Sequence, residues 1–126
     1  MKILIVDDAP SMRRILKMEF EKMGIADVTE AGDGVEGWAA IEAASPQFDF
    51  IVSDWNMPVC TGIDLLKRVR ATESTRDLPF IMVTAEGESS YVMEAMKAGV
   101  TDYVMKPFTA AILLEKFQKH LKKKKL

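Results

Sequence analysis

Five times along the chain, a short run of aliphatic, β-branched or aromatic residues gives way to a longer stretch whose apolar residues return with the period of a helix. No other feature of the sequence restricts the fold so severely. The runs lie at residues 3–6, 28–29, 50–52, 80–83 and 103–105. Phe50, Ile51 and Val52 form the kind of continuous run that is buried on both faces of a parallel sheet, and Pro58 stops the chain from continuing as a strand. Pro79 stands at the start of the fourth run, where its missing N–H is tolerated.

Between the runs, Pro10 and Ser11 open a helix with Met12, Ile15, Leu16, Phe20 and Met23 inward, and Gly24 closes it. The turn Asp33-Gly34 precedes a second helix with Val35, Trp38 and Ile41 on one side, stopped by Ser45-Pro46. Gly62, Leu65, Leu66 and Val69 stripe a third, and Val92, Ala95, Met96 and Gly99 a fourth. Thr109 caps a fifth with Leu113, Phe117 and Leu121 inward.

Strict β, α alternation with short connections calls for an α/β fold, a parallel sheet with helices on both faces and right-handed crossovers. Of the two common doubly wound arrangements, five strands fit the order 2-1-3-4-5, the flavodoxin-like (βα)5 fold, with a crevice between strands one and three. At 126 residues the chain has the size of a single domain, 1–126, able to bury a core without disulfide or metal staples.

The strand ends then decide the chemistry. Asp7-Asp8 follows the first run and Asp54 the third, Thr84 ends the fourth and Lys106 follows the fifth, all at the carboxyl edge where open α/β sheets gather their ligands. Crowded carboxylates repel, each pair by about 4 kcal/mol at roughly 4 Å and an effective dielectric near 20. A divalent cation such as Mg²⁺ offsets this and keeps a position for a phosphoryl oxygen. An Asp held by that cation and neighboured by Lys106 is set up as a nucleophile toward phosphorus, giving an acyl phosphate. The Thr84 hydroxyl and the amides after Asp54 and Thr84 stand ready for the phosphoryl oxygens. Each residue also has a plainer reading: Asp7-Asp8 favouring a helix dipole, Asp54 initiating a turn, Thr84 capping a strand end, Lys106 solvated. The convergence of four strand ends on one crevice favours the chemical reading.

Asp7-Asp8, the run Val52-Ser53-Asp54-Trp55-Asn56-Met57-Pro58, Thr84-Ala85-Glu86 and Lys106-Pro107-Phe108 resemble the receiver domain of two-component response regulators over the whole chain. Met12-Arg13-Arg14 and residues 106–111 bring it nearer to the stand-alone chemotaxis members. The family shares the 2-1-3-4-5 order, so the topology rests on the resemblance as well as on the strand count. The resemblance implies that Asp54 accepts a phosphoryl group from a histidine kinase, and that Lys106 contacts that group. Asp8, Asp54 and the Asn56 backbone oxygen bind Mg²⁺ directly on this view, with Asp7 helping through water. Thr84 and Tyr103 form a switch pair that alters the surface of the fourth helix, fifth strand and fifth helix, and Asn56 and Glu86 tune the lifetime of the phosphorylated state. The implied protein is a monomeric signalling protein, not an enzyme, that assists its own phosphotransfer and dephosphorylation. Its partners are the kinase, a flagellar motor switch protein and a phosphatase. After Pro58, Val59-Cys60-Thr61-Gly62 replaces a frequent Met-Asp-Gly. Thr61 can still cap the third helix, so loop detail rather than chemistry is expected to differ.

The alternatives are a stand-alone receiver in another phosphorelay and, behind it, an aspartyl-phosphate hydrolase. Such hydrolases place a second Asp two residues on, where this chain has Asn56. A flavin module of the same topology would not set Asp7-Asp8 against a phosphate. His120 and Cys60 are the only residues of their kinds, which excludes a zinc cluster. A net charge of −2 argues against generic nucleic-acid binding. Asp7-Asp8 cuts the first apolar run far short of a signal core, and neither a long apolar segment nor a disulfide pair is present, so a cytoplasmic protein without membrane insertion is expected. Tyr91, Met93 and Ile112 fall off the inner stripes, where they either dock a partner helix after phosphorylation or are scattered surface residues. Arg13 and Arg14 either meet the kinase or a phosphotransfer domain or are simply solvated. Residues 122–125, all Lys, do no more than end a helix favourably.

Overall fold

The computed structural model describes the backbone of residues 1–125 and the side chains of residues 1–120. The elements are β1 (Lys2–Val6), α1 (Pro10–Lys22), β2 (Asp27–Ala31), α2 (Gly34–Ala43), β3 (Phe50–Ser53) and α3 (Gly62–Ala71), followed by β4 (Phe80–Thr84), α4 (Ser89–Lys97), β5 (Asp102–Met105) and α5 (Ala110–Lys125). A single 3₁₀ turn, Glu73–Thr75, follows α3. All strand pairs are parallel, as the alternation predicts, and the sheet order is β2-β1-β3-β4-β5, as the strand count and the family resemblance predict.

Successive strand residues point to opposite faces, and this sorts the core into two layers. Leu4, Val6, Ile51, Phe80 and Met82 pack under α2, α3 and α4, against Trp38, Ile41, Leu65, Leu66, Val69 and Ala95. Ile3, Ile5, Phe50, Val52, Ile81 and Val83 face α1 and α5, against Leu16, Phe20, Leu113 and Phe117. Phe117 closes this second layer, with ring centroids 5.0 Å from Phe20 and 4.6 Å from Phe50. The central strands β1, β3 and β4 are buried on both faces, whereas the edge strand β2 carries exposed Asp27 and Glu30, which is why its apolar signal is so short.

Side-chain caps close the helix starts at Thr61 and Thr109, where the sequence places them, and also at Asp33, which the sequence marks only as a turn. Asp33 accepts from the Glu36 N–H (2.9 Å), Thr61 from Asp64 (3.3 Å) and Thr109 from Ile112 (3.1 Å). Four inward assignments are corrected: Gly99 is exposed and lies beyond the end of α4, which stops at Lys97, and three others are large apolar residues. Ile15, Val35 and Met96 are 45, 53 and 67% exposed. In α1 the line of burial runs through Leu16 and Phe20, one turn apart, and Ile15 is rotated about 100° from Leu16. In α2 the sheet-facing line runs through Gly34, Gly37, Trp38 and Ile41, and in α4 only Ala95 is fully buried, which leaves Met96 outside. Tyr91 is corrected in the other direction: it is half-buried and packs against the core. Leu121 and residues 122–125 lie outside the described side chains.

Arg70 staples the far end of the α4 segment. Its guanidinium donates to the carbonyls of Gly99 (2.8 Å), Arg76 (3.0 Å) and Leu78 (2.6 Å), joining the end of α3 to the loops that enter β4 and β5. Among the described residues no helix is long and apolar enough to cross a membrane.

Candidate functional site

Because β1 and β3 are neighbours, with Val6 beside Ser53, Asp7 and Asp54 leave the sheet next to each other, and the Asp54 N–H donates to the Val6 carbonyl (2.9 Å). Oxygens of Asp7, Asp8 and Asp54 all lie within 4.8 Å of one another. Asp7 is 2% exposed, Asp54 is partly covered and Asp8 is open to solvent. Lys106 reaches across from the end of β5, its Nζ donating to Asp7 Oδ2 (2.8 Å) and Asp54 Oδ2 (3.2 Å). The remaining oxygens are bonded to backbone: Asp7 Oδ1 accepts from the Ala9 N–H (2.9 Å) and Asp54 Oδ1 from the Trp55 N–H (2.6 Å).

Burial pulls the Lys106 pKa down, but the hydrogen bond to Asp7 and the charges of Asp54 and Asp7 outweigh it, so the ammonium is held above its ordinary range. With a side chain 16% exposed and two carboxylate partners, Lys106 is not a solvated surface lysine. One cation facing three acids leaves the cluster short of positive charge. Its donors are hard carboxylate oxygens, the set suited to Mg²⁺ and not to a soft metal.

Thr84, buried at the end of β4, accepts from the Glu86 N–H through Oγ1 (3.3 Å). Glu86 is a junction. Its carbonyl accepts from the Tyr103 hydroxyl and its carboxylate from the Asn56 amide, so the two predicted switch residues and the two predicted tuning residues meet in one segment. Burial, reinforced by Glu86, Asp54 and Tyr91, pushes the Tyr103 phenol up to about 12, so it remains a donor at neutral pH. The Lys106–Pro107 peptide bond is cis.

The loop after β3 depends on features that pattern reading missed. The Gly62 N–H donates to the Trp55 carbonyl (2.8 Å), and a Cβ at Gly62 would overlap the Asp54 carbonyl. Gly62 is read from sequence as an inner-stripe residue; in space it lets α3 begin against the backbone that carries Asp54. The available signal is a glycine at a first helical position behind a good cap, Thr61, where it weakens the helix unless close approach requires it. In the Val59-Cys60-Thr61 loop, Val59 sits at φ 68°, and the Cys60 N–H donates to the Pro58 carbonyl (2.7 Å) in a γ-turn. Cys60 in turn docks on α2, its carbonyl accepting from the Gly34 N–H (3.1 Å) where a Cβ on Gly34 would lie 2.5 Å from the sulfur.

The two arginines part company. Arg13 folds onto the acid-bearing loop, donating to the Asp7 carbonyl (2.6 Å) and pairing with Glu30 (3.0 Å), whereas Arg14 is exposed. Met93 and Ile112 are exposed as expected, at 56 and 46%.

Comparison with known proteins places this geometry in context. Residues 3–118 match the family model of the response regulator receiver domain. The chemotaxis protein CheY of Pseudomonas aeruginosa is 50% identical over 119 residues, 94% of each chain. The solved structure of chemotaxis response regulator CheY4 of Vibrio cholerae, 36% identical, superposes with a TM-score of 0.85 over 94% of this chain and 96% of that one. The receiver domain of the sensor histidine kinase PA1611 from Pseudomonas aeruginosa has a magnesium ion coordinated in its active-site cleft. It is 30% identical, with a TM-score of 0.83 over 94% of both chains.

Proposed function

This chain belongs to the response regulator receiver domain family, and from that premise we propose that it is a single-domain, Mg²⁺-dependent phospho-acceptor switch of chemotaxis. The observation that carries the proposal is Lys106 bridging Asp7 and Asp54 at the edge where Asp8 joins them. An Asp54 oxygen attacks phosphorus of a kinase phosphohistidine. The P–N bond breaks, its electron pair stays on the imidazole nitrogen, and the phosphoryl group remains on Asp54 as an acyl phosphate. Asp8, Asp54 and the Asn56 carbonyl would hold Mg²⁺, with Asp7 helping through water, and the ion would supply charge neutralisation for the phosphoryl oxygens. Lys106 contacts the transferred group and Thr84 donates its hydroxyl to it. Asn56 and Glu86 govern the access of water to it.

Withdrawal of Thr84 toward the phosphoryl group removes its bond to the Glu86 N–H and biases the Tyr103–Glu86 contact. That is a local electrostatic event acting on a two-state element. The surface so altered presents Met93, Met96, Met105 and Ile112, adaptable apolar contacts suited to a docking helix of the flagellar motor switch. A phosphatase and the kinase are the other partners, all in the cytoplasm.

A small-molecule phosphodonor with Mg²⁺ tests this by intact mass. The unsubstituted chain should gain one phosphoryl group, and only then retain a motor-switch fragment; chelation or Asp54→Asn should abolish both. A mass gain that persists in Asp54→Asn would overturn the assignment.

A further inference from the structure

A second connection runs from the acid-bearing loop to α4, separate from Thr84. Trp55 follows Asp54 directly. Its N–H donates to Asp54 Oδ1 (2.6 Å) and its carbonyl accepts from Gly62 (2.8 Å), which pins its backbone on both sides. The buried indole meets the ring of Tyr91 edge to face, with centroids 4.9 Å apart and an interplanar angle of 83°. Tyr91 lies in the first turn of α4, whose cap position, Glu88, makes no side-chain cap bond. Tyr91 and Tyr103 pack on the same core cluster as Trp55, and Tyr91 contributes to the raised pKa of Tyr103. Arg70 holds the far end of the helical segment through Gly99, so the lightly secured end of α4 is the one that Tyr91 occupies.

The Trp55–Asp54 bond is charge-assisted while Asp54 is a carboxylate, and such bonds are roughly twice as strong as neutral ones. Phosphoryl transfer to Asp54 makes a mixed anhydride, which leaves a neutral acyl oxygen facing the Trp55 N–H and weakens that bond. An edge-to-face pair is directional, so a small rotation of the indole is felt by its partner ring. Resting on the phospho-acceptor reading above, we propose that Tyr91 is a positioning residue of the output switch. It passes the change at the Asp54–Trp55 bond to the first turn of α4 and to Tyr103, in parallel with the Thr84 route.

The test compares the unsubstituted chain with Tyr91→Phe, which keeps the ring, and Tyr91→Leu, which keeps apolar volume and folding but loses it. Each is treated with a small-molecule phosphodonor and Mg²⁺, with intact mass giving the extent of modification and amide hydrogen exchange reporting residues 86–97 and 103–105. All three should be modified to the same extent. The phosphorylation-dependent change in exchange should survive in Tyr91→Phe and fall by about 5-fold or more in Tyr91→Leu. A merely structural Tyr91 would shift exchange before phosphorylation and leave the phosphorylation-dependent difference intact, and that result overturns the proposal alone. Absence of modification in the unsubstituted chain overturns the phospho-acceptor reading and this one together.

Discussion

A methyl group at Gly62 would overlap the carbonyl of Asp54, so this one residue sets how closely α3 can approach the loop that carries the acid. Two effects of Gly62→Ala oppose each other. Helix propensity favours alanine by about 1 kcal/mol, whereas forced displacement of packed backbone costs about 1–3 kcal/mol. The overlap is with main chain and not with the tip of a flexible side chain, so the clash should win. We expect a net loss of about 1–2 kcal/mol in urea unfolding together with slower modification of Asp54; a stabilised variant would show that the loop yields at little cost. Asp7, Asp54, Thr84 and Lys106 are legible in the sequence because each ends or follows an apolar run, a local pattern. Gly62 is legible only as a helix residue, because what it accommodates lies eight positions earlier, across the loop. The same limit applies to Arg13, whose bonds to Asp7 and Glu30 no spacing rule announces.

At the scale of elements, α5 is latched to β5 by Asp102, which accepts from His120 Nε2 (2.9 Å) and Tyr103 N–H (2.9 Å) and pairs with Lys116 (3.3 Å). Burial pushes the Asp102 carboxyl up, but the His120 and Tyr103 hydrogen bonds and the charge of Lys116 outweigh it and hold the pKa below the ordinary carboxylate value. Its folded pKa is therefore lower than its unfolded one. The stabilisation is fully present above about pH 4 and is lost as pH falls through the folded value. With Lys116 partly exposed and screened, Asp102→Asn should cost about 1–2 kcal/mol at neutral pH. The gap to the unsubstituted chain should narrow steadily below about pH 4 in urea midpoints; a gap independent of pH would assign the cost to packing instead. Helix existence follows from periodicity and two of the caps from residue type, as Thr61 and Thr109 illustrate, whereas the cap at Asp33 reads in the sequence only as a turn. Which apolar residues face the sheet does not, because Ile15 and Met96 sit at the margin of their stripes and small differences in helix rotation put them outside.

At the scale of the whole molecule, the site works against the fold: three acids share one ammonium at the mouth of an otherwise well-packed core. Without divalent cation, Lys106→Met leaves Asp7 buried beside Asp54 with no counter-charge, and should lower stability by about 1–3 kcal/mol. If the acidic cluster binds Mg²⁺ as proposed, the ion at roughly a hundredfold over its Kd should stabilise the fold by about 2.7 kcal/mol. That gain should be larger in Lys106→Met, where the repulsion to be relieved is greater. Thermal melts with and without chelator read this directly, and equal Mg²⁺ shifts in the two proteins would contradict it. From the sequence follow the alternation of strands and helices and the parallel sheet, which depend on periodicity and connectivity written along the chain, and, with the strand order that the family resemblance supports, the gathering of Asp7, Asp8, Asp54, Thr84 and Lys106 at one edge. Tertiary structure alone decides that Lys106 rests on an acid 99 positions away, that Glu86 joins Thr84, Tyr103 and Asn56, and that Tyr91 turns inward onto Trp55. Those contacts depend on the rotation of each helix against the sheet and on side-chain direction, which are settled only when the whole core packs at once.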